Sequence, residues 1–331
     1  MIRHENISLR PFHTFGLDVK ARVLVEYDSE DELRSLLNEF RGQRILPIGQ
    51  GSNLLFTRDF DGIVLLSRMC RARALKETKE EVFIEAEGGL ILDDLIAQLC
   101  DMNFSGLENL SGIPGTVGAS AVQNVGAYGV EAKDAIRQVR AISIETGEKR
   151  IFTPDECCYG YRDSIFKNEL AGRYIVTAVT YSLTHDGPYH LDYGNLREAL
   201  KGEPSPQTIR EAVLAIRAAK LPDIREIGSA GSFFKNPVVS PEKFMRLHGR
   251  YPQMPYFPVE NGVKIPAAWL IDTLQWKGRT CGGAQVYEKQ PLVIVNAANA
   301  TPDDIVNLAA DIVRSVKEHF DIDISPEVNY I

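Results

Sequence analysis

A serine stands among small residues in the segment GSAGSFFKNP, residues 228–237. The glycines and the alanine around Ser232 let a flat ligand or another backbone approach closely, because they carry little or no side chain. Phe233 and Phe234 follow directly, and we expect their rings to exclude water from the place where Ser232 acts. A hydroxyl is a weak acid, so a catalytic serine here needs a strongly basic partner. The alternative is a loop serine that hydrogen-bonds its own backbone.

Two segments rich in glycine, serine and asparagine indicate a different chemistry: PIGQGSNLLF at 47–56 and LSGIPGTVGASAVQNVGAYG at 110–129. Their glycines allow positive φ and close backbone approach, so N–H groups and short polar side chains can cradle a pyrophosphate. Gln123 and Asn124 suit the edge of a ring. Neither segment is a P-loop or has the complete GxGxxG pattern. Tight turns between strands are an equal alternative for each segment taken alone.

The whole chain has the composition of a globular protein of two or three domains. Its 331 residues are 44% hydrophobic and carry a net charge of −8, which argues against nucleic acid as the main partner. The five cysteines form no CxxC pair, which is typical of reduced thiols in a cytosol. The N-terminal residues lack the apolar h-region of a signal peptide, and no apolar run approaches the length of about 18 residues that spans a bilayer. We therefore predict a cytoplasmic protein without a membrane partner. The six histidines form no HExxH motif or Cys/His cluster, so no metal site is expected.

Hydrophobic periodicity predicts the elements that must position these residues. Caps and apolar faces indicate helices at 28–40, 91–103, 208–220, 240–249 and 301–320. Apolar or alternating runs indicate strands at 44–49, 62–67, 82–88 and 173–183, a hairpin at 139–152 turning at Thr146-Gly147, and a terminal strand over 321–331. This mixture predicts the α+β class.

Five motifs, found in order along the chain, together resemble one family. The resemblance is to the UDP-N-acetylenolpyruvoylglucosamine reductases, flavoenzymes of bacterial peptidoglycan precursor synthesis, and it extends from HTFG at 13–16 to Glu327. DYGNL at 192–196 is similar to the type I form. Two residues depart from the family pattern: His13 stands where Asn is usual, and Asn329 where a basic residue is common. The motifs are GQGSNLLF at 49–56, IPGTVGASAVQNVGAYG at 113–129, YGYRDSIFK at 159–167, GSAGSFFKNP at 228–237 and SPEV at 325–328.

The resemblance implies FAD bound by a fold of the vanillyl-alcohol-oxidase (PCMH) type, together with a C-terminal α/β substrate-binding domain. It implies NADPH as reductant and UDP-N-acetylglucosamine enolpyruvate as substrate, and we expect a monomer. The implied domains are a first FAD-binding subdomain at 1–70 joined by the tail 321–331, a second at 71–220, and a substrate-binding domain at 221–320.

The implied reaction defines the roles of three residues. Hydride added to the terminal carbon of the enolpyruvyl group leaves negative charge at C2, which the neighbouring carboxylate delocalises. Arg162 is suited to bind that carboxylate, the alternative being a surface pair with Asp163. Glu327 stabilises charge only if it is protonated or closely paired with a cation, and without the resemblance it is an exposed glutamate near a terminus. Ser232 is suited to protonate C2, because a carbanion is a strong base.

The remaining contacts are implied by position in the family motifs. Tyr193 and Lys220 suit phosphates, although Lys220 also suits the solvated end of a helix. The implied cofactor contacts are Gly49, Gln50, Gly51, Ser52, Asn53, Pro114, Gly115, Gly118, Ala119, Ser120, Gln123, Asn124, Gly126 and Ala127. The implied substrate contacts are Tyr128, Tyr161, Arg162, Tyr193, Lys220, Asn236, Tyr256 and Gln290.

Two other functions remain open at this point. A related FAD-dependent oxidase would use oxygen, and such enzymes often tether FAD through a histidine in the first glycine-rich segment. Residues 47–56 contain no histidine, which counts against tethering but not against every oxidase. A non-catalytic flavin- or nucleotide-binding protein would account for the glycine-rich segments but not for Ser232, Arg162 and Glu327.

Overall fold

The computed structural model describes residues 1–185 and 187–331. By spatial proximity these residues form two compact units, and the first glycine-rich segment contributes residues to both. The predicted three-domain division stays a prediction. Unit 1 comprises Met1–Ile7, Ala21–Gln50 and Asp61–Ala219, and unit 2 comprises Ser8–Lys20, Gly51–Phe60 and Lys220–Ile331.

The helices begin where the sequence has capping residues. The hydroxyls of Ser29, Ser240 and Thr301 each accept a hydrogen bond from a backbone N–H of the first helical turn. In the described residues no helix combines the length and the apolar character needed to cross a membrane. The α-helices are α1 Glu30–Glu39, α2 Leu92–Asp101, α3 Val117–Gln123, α4 Ala132–Ala135, α5 Leu196–Ala199, α6 Pro206–Lys220, α7 Pro241–Arg250, α8 Ala267–Thr273 and α9 Pro302–Phe320.

The strands are mostly short, and three-residue 3-10 helices lie at Arg10–Phe12, Glu108–Leu110 and Ile165–Lys167. The strands are β1 Ile2–Ser8, β2 Lys20–Tyr27, β3 Ile45–Ile48, β4 Leu54–Leu55, β5 Phe60–Ser67, β6 Ala72–Glu77, β7 Glu81–Glu87, β8 Gly126–Ala127, β9 Val130–Glu131, β10 Ile136–Ser143, β11 Lys149–Phe152, β12 Tyr174–Thr184, β13 Gly228–Ser232, β14 Val238–Val239, β15 Phe257–Val259, β16 Gly262–Lys264, β17 Thr280–Cys281, β18 Ala284–Val286, β19 Val293–Asn296 and β20 Asn329–Tyr330.

Unit 1 contains a four-stranded sheet, β1-β2-β5-β3, and a five-stranded antiparallel sheet, β11-β10-β12-β7-β6. Alternate residues of β7, namely Val82, Ile84 and Ala86, are buried and pack with apolar residues of α2 and α3 in one core. This alternation is the one that the sequence predicted for 82–88. The second glycine-rich segment thus forms α3 against the five-stranded sheet, and its conformation is determined by that packing.

Unit 2 contains the antiparallel sheet β13-β19-β18-β17 and the smaller sheet β14-β16-β15. The apolar face of α9, including Ile305, Ile312 and Phe320, is buried in the core of this unit. The core also contains Phe15 and Phe233, so the segment around Ser232 is anchored directly in it.

The C-terminal tail differs from the predicted terminal strand over 321–331. Only Asn329–Tyr330 forms a strand, β20, which pairs in parallel with Leu54–Leu55. Ile322 and Ile324 are buried, but Pro326 follows and has no N–H to donate to a ladder. The tail therefore makes an isolated bridge between Pro326 and Phe234 before β20 begins.

Candidate active site

The structure divides the predicted site residues between the two units. Arg162 lies in unit 1, and Ser232 and Glu327 lie in unit 2. Unit 1 contains Gly49, Gln50, Pro114, Gly115, Gly118, Ala119, Ser120, Gln123, Asn124, Gly126, Ala127, Tyr128, Tyr161, Arg162 and Tyr193. Unit 2 contains Gly51, Ser52, Asn53, Lys220, Ser232, Asn236, Tyr256, Gln290 and Glu327.

The two glycine-rich segments meet within unit 1. The side-chain oxygen Oε1 of Gln50 accepts a hydrogen bond from the backbone N–H of Gly115 at 2.6 Å. A Cβ atom on Gly49 would lie 2.6 Å from Oγ1 of Thr116, so a larger residue there would push the segments apart. Gly115 has φ 142°, a conformation that favours glycine. The N–H of Gly115 is engaged by Gln50, and the expected cradle for a pyrophosphate in these segments stays a prediction.

Two predicted cofactor-binding residues, Ser120 and Gly118, make close contacts inside the protein. The Ser120 hydroxyl is buried and donates to the carbonyl of Val117 at 2.7 Å. A Cβ atom on Gly118 would lie 3.1 Å from the carbonyl oxygens of Gly88 and Val176, so Gly118 provides close packing of α3 on the sheet. The Ser120 hydroxyl is therefore engaged within α3, and the expected contacts of Ser120 and Gly118 with the cofactor stay predictions.

Arg162 lies in a tight turn. The backbone groups of Gly160 and Asp163 exchange two hydrogen bonds of 3.1 Å, and Arg162 between them has φ 55°. This left-handed conformation costs a residue other than glycine roughly 1–2 kcal/mol. The guanidinium atom Nη2 donates to the carbonyl oxygen of Gly126 at 2.6 Å. The turn therefore presents a half-buried cation whose end is tied to the second glycine-rich segment.

Asn124 holds the start of this turn. It follows α3 with φ 44° and is fully buried. Its amide Nδ2 donates to the carbonyl of Gly160 at 2.8 Å and to the carboxylate of Glu131 at 3.1 Å, and its Oδ1 accepts from the N–H of Lys133 at 3.0 Å. The polar atoms of the Asn124 side chain are therefore engaged within unit 1. Its expected contact with the edge of a ring stays a prediction.

Lys167 and Ser164 hold the end of the turn. The Lys167 ammonium donates to the backbone carbonyl of Arg162 and to Oε1 of Gln123, both at 2.9 Å. The buried Ser164 hydroxyl donates to the carbonyl of Val122 at 2.6 Å. The motif YGYRDSIFK therefore contains residues that hold the turn of Arg162 in place. Sequence reasoning missed Lys167, although it is the last residue of that motif.

Tyr128 and Tyr193, predicted substrate contacts, lie edge to face with ring centroids 6.2 Å apart. Burial raises the pKa of the Tyr128 hydroxyl, and Arg217 beside it opposes that change. Burial also lowers the pKa of the Arg217 guanidinium. Sequence reasoning missed Arg217, although it precedes Lys220 by one turn on α6 and shares its helix face.

Asn109 sets the backbone at Tyr128. Its amide Nδ2 donates to the carbonyl of Tyr128 at 2.8 Å and to that of His190 at 2.7 Å. Tyr128 has φ 48°, so its left-handed conformation is held by a side chain from outside its own motif. No sequence pattern marked Asn109, because both contacts are made to backbone atoms.

Ser232 is the last residue of β13 and is exposed. It pairs with Val293 of β19, and the N–H of Phe233 donates to the carbonyl of Leu292 at 2.7 Å. The N–H of Val293 donates in turn to the carbonyl of Gln290 at 3.0 Å. The sheet therefore places the Gln290 turn beside Ser232, although the two are far apart in sequence.

Glu327 lies in the C-terminal tail, which pairs with the residues that directly follow Ser232. Its N–H donates to the carbonyl of Phe233 at 2.7 Å, and the N–H of Lys235 donates to the carbonyl of Ser325 at 3.0 Å. These bonds form a short ladder between 233–235 and 325–327. The structure therefore brings the backbone of the predicted carboxylate directly beside the residue that follows the predicted proton donor.

Asn53 connects the first glycine-rich segment to this ladder. Its Nδ2 donates to the carbonyl of Glu327 at 3.3 Å, and its own carbonyl accepts from the N–H of Asn329 at 3.0 Å. Gly51 has φ 61°, and a Cβ atom there would lie 2.5 Å from the carbonyl oxygen of Phe12. Glycine is required at this point because residues 12–14 pack against it.

Phe233 and Phe234, the two rings beside Ser232, are buried side chains of unit 2. They are 0% and 2% exposed and belong to the core of unit 2. The Phe233 ring packs against Phe15 and Tyr330, with centroid distances of 6.4 Å and 6.2 Å. Both rings therefore belong to the core of unit 2, and the expectation that they screen Ser232 from water stays a prediction.

Three other predicted substrate contacts are placed in unit 2. Oδ1 of Asn236 accepts from the N–H of Ala267 at 2.9 Å, at the start of α8. The Tyr256 ring packs against Phe244 of α7 with a centroid distance of 4.5 Å and is 44% exposed. Lys220 is exposed at the end of α6. Their roles toward substrate stay predictions.

Comparisons with known proteins decide the family. The family model described as UDP-N-acetylenolpyruvoylglucosamine reductase, C-terminal domain, matches residues 222–331, and an FAD binding domain model matches 21–152. The UDP-N-acetylenolpyruvoylglucosamine reductase of Bacteroides fragilis is 45% identical over 331 residues, 99% of each chain. The chain belongs to the UDP-N-acetylenolpyruvoylglucosamine reductase family. The reductase of Pseudomonas putida that carries the same name is 42% identical and covers 98% of each chain.

A crystal structure of UDP-N-acetylenolpyruvylglucosamine reductase from Thermus caldophilus shares the fold, with a TM-score of 0.69 and 23% identity over 99% of this chain and 98% of that one. The predicted family, the α+β FAD-binding fold and the FAD-dependent oxidoreductase class are confirmed. Membership of this reductase family also decides against the oxidase alternative and against a non-catalytic flavin-binding protein.

Proposed function

We propose that this protein uses NADPH to reduce UDP-N-acetylglucosamine enolpyruvate to UDP-N-acetylmuramate, in peptidoglycan precursor synthesis. The observation that supports this most directly is the ladder in unit 2, where the N–H of Glu327 donates to the carbonyl of Phe233 at 2.7 Å. It brings together the segments of Ser232 and Glu327, two residue types that the reaction needs and that no local pattern connects. Family membership supplies the reaction class.

FAD held by the glycine-rich segments would supply the hydride chemistry that connects NADPH, through flavin N5, to the terminal carbon of the enolpyruvyl group. Ser232 then donates its hydroxyl proton to C2. Arg162 binds the substrate carboxylate, and Glu327 stabilises the enolate-like intermediate together with Arg162. A fixed arginine suits this role because guanidinium stays charged and can bind a carboxylate through two hydrogen bonds.

Binding is assigned to backbone and side-chain groups of the predicted site residues. The backbone of the glycine-rich segments holds the cofactor pyrophosphate, and Tyr193 and Lys220 bind phosphates of the substrate. The orientation of the substrate is assigned to Tyr128, Tyr161, Asn236, Tyr256 and Gln290. The division into two FAD-binding subdomains, 1–70 with 321–331 and 71–220, and a substrate-binding domain, 221–320, is part of this proposal.

The test separates the two half-reactions by stopped-flow absorbance under anaerobic conditions. Because Ser232 acts only on the enolpyruvyl substrate, Ser232→Ala leaves the bleaching of the flavin by NADPH nearly intact. The same variant slows reoxidation of the reduced flavin by the substrate by about 100-fold or more, the range of lost proton transfer.

Ser325→Ala is the matched control, because it removes an exposed serine hydroxyl from the segment that pairs with 233–235. Both half-reactions stay at the wild-type rate in that variant. Equal slowing of the two half-reactions by Ser232→Ala would contradict the role of the proton donor. Failure of the enolpyruvyl substrate to reoxidise the wild-type flavin would contradict the proposed function itself.

A further inference from the structure

We propose that Lys167 is a positioning residue for Arg162, a role that depends on the proposed function of Arg162. Lys167 ends the 3-10 helix Ile165–Lys167, five residues after Arg162 in the chain. Its ammonium group spans the Arg162 carbonyl and Oε1 of Gln123, at 2.9 Å from each. Lys167 thereby ties the turn that carries Arg162 to the C-terminal end of α3.

The chemistry of the contact suits a lysine. Two uncharged acceptor oxygens from different segments face one compact cation that has three donors. Hydrogen bonds from a charged donor are about twice as strong as bonds between neutral groups. Gln123 is a half-buried residue of α3, so the amide oxygen that shares the ammonium is carried on packed structure.

The bond from Lys167 is made to the backbone of Arg162, at the point where the chain has an unfavourable conformation. Arg162 has φ 55°, a conformation that the local chain does not favour by itself. Lys167 fixes the carbonyl of Arg162, and the carbonyl of Gly126 accepts from the Nη2 atom at 2.6 Å. A Cβ atom on Gly126 would lie 3.0 Å from Nη1, so the guanidinium passes close to the backbone there. One contact therefore sets the base of the side chain and the other sets its end.

A displaced guanidinium affects the two half-reactions differently. Arg162 binds the carboxylate of the enolpyruvyl substrate, which the reduction of flavin by NADPH does not involve. A loss of alignment by about 1 Å costs on the order of 100-fold in rate. A Lys167 that only stabilised the fold would instead change both half-reactions together, through the fraction of folded, FAD-loaded enzyme.

The experiment measures both half-reactions of the FAD-loaded full-length enzyme by stopped-flow absorbance. Lys167→Met keeps most of the apolar stem and removes the ammonium. We expect flavin bleaching by NADPH within about twofold of wild type, and reoxidation by the enolpyruvyl substrate slower by about 10- to 100-fold. Lys76→Met, which changes an exposed lysine of β6 in the same unit, leaves both rates unchanged.

A double-mutant cycle tests whether Lys167 acts through Arg162. In an Arg162→Lys background, Lys167→Met adds less than about twofold to the loss in the substrate half-reaction, because the group it positions is already gone. Full additivity of the two losses, or equal slowing of both half-reactions by Lys167→Met, overturns the proposal.

A conservative variant covers the case in which Lys167→Met does not fold. Lys167→Arg keeps the positive charge but replaces the compact ammonium, which bonds to the Arg162 carbonyl and to Oε1 of Gln123, with a larger planar guanidinium. We expect it to fold, to bleach with NADPH at the wild-type rate, and to lose about 3- to 10-fold in the substrate half-reaction. A wild-type rate in that half-reaction for Lys167→Arg overturns the requirement for an ammonium. If the wild-type enzyme itself does not react with the substrate, the proposed function fails instead.

Discussion

The turn that carries Arg162 and the segment that carries Ser232 are held by different kinds of bond. Two backbone bonds close the Arg162 turn, but the groups that hold it to the rest of unit 1 include three side chains: the Asn124 amide, the Ser164 hydroxyl and the Lys167 ammonium. Around Ser232 the holding groups are backbone atoms, because Phe233 bonds to both Leu292 and Glu327 through the main chain. The first arrangement depends on residue identity, and the second depends mainly on the path of the chain.

This difference predicts how each region responds to substitution. A side-chain contact is lost with one residue, and its partner is left unsatisfied in a partly buried place. A backbone ladder survives most substitutions and is broken by removing chain or by inserting proline. Single substitutions should therefore weaken the Arg162 turn, whereas the Ser232 and Glu327 ladder should require deletion.

The largest effect is expected from deleting residues 328–331. The deletion removes buried Val328 and strand β20, with backbone bonds from Asn329 to Asn53 and from Ile331 to Leu55. We expect the free energy of unfolding to fall by about 4 kcal/mol or more, from one core side chain and several hydrogen bonds. Urea unfolding monitored by circular dichroism measures this loss.

Thr57→Val is the matched control for the deletion. The backbone N–H and the hydroxyl of Thr57 both donate to the carbonyl of Ile331, at 3.1 Å and 2.8 Å. Only the hydroxyl is removed, so the expected loss is below about 1 kcal/mol. A loss as large as that of the deletion would show that side chains, not the backbone, hold the tail.

A smaller effect is expected from Asn124→Leu. The substitution removes three hydrogen bonds of a buried amide and places leucine at φ 44°. We expect a loss of about 2–4 kcal/mol, because buried partners stay unsatisfied and leucine tolerates this backbone poorly. The substrate half-reaction should also slow by more than about 10-fold as the Arg162 turn shifts.

Asn168→Ala provides the comparison for Asn124→Leu, since Asn168 also bonds to the Arg162 turn but is exposed. Its expected loss is below about 1 kcal/mol, as is usual for exposed polar contacts. If the two variants lost equal stability, burial would not be the factor that makes the Asn124 contact important.

The smallest effect is a pH dependence from His13 in unit 2. Its ring is 4% exposed, its Nε2 lies 3.2 Å from the carbonyl of Leu17, and burial lowers its pKa. Below the unfolded pKa of about 6.5 the unfolded chain binds a proton that the native ring resists. Stability therefore falls as pH decreases below about 6.5, by at most ~1.4 kcal/mol per pH unit.

His13→Asn removes this titration and introduces the residue that is usual in the family motif. Urea midpoints measured at pH 7.5 and 5.5 should decrease less in the variant than in the wild type. Parallel decreases in the two proteins would show that the buried imidazole carries its proton in the native state.

Much of the local structure was predictable from sequence because it depends on local interactions. The helix starts at Ser29, Ser240 and Thr301 follow from side chains that bond to the next turn. The hairpin turn with Gly147 at φ 72° follows from the need for a left-handed residue. The terminal strand was predicted too long, because hydrophobic alternation was followed through Pro326.

The candidate site was predictable only where its residues lie in ordered motifs. Arg162, Ser232 and Glu327 were recognised through five motifs, and their roles stay predictions. Asn109 and Lys167 were not recognised, because they contact carbonyl groups, which every residue type provides. The complete burial of Phe233 and Phe234 was not predicted, because two aromatic residues beside a serine can either line a binding site or pack in the core.

The sequence by itself determined the family, the FAD cofactor, the reductase class and most of the helices, because capping, periodicity and motif order are properties of neighbouring residues. Only the tertiary structure decided that Gln50 meets Gly115, that Lys167 holds Arg162, and that Glu327 lies beside the segment of Ser232. The physical reason is that each of these contacts is a hydrogen bond to a backbone group, and because every residue provides such groups, the fold chooses the partner and leaves no pattern in the chain.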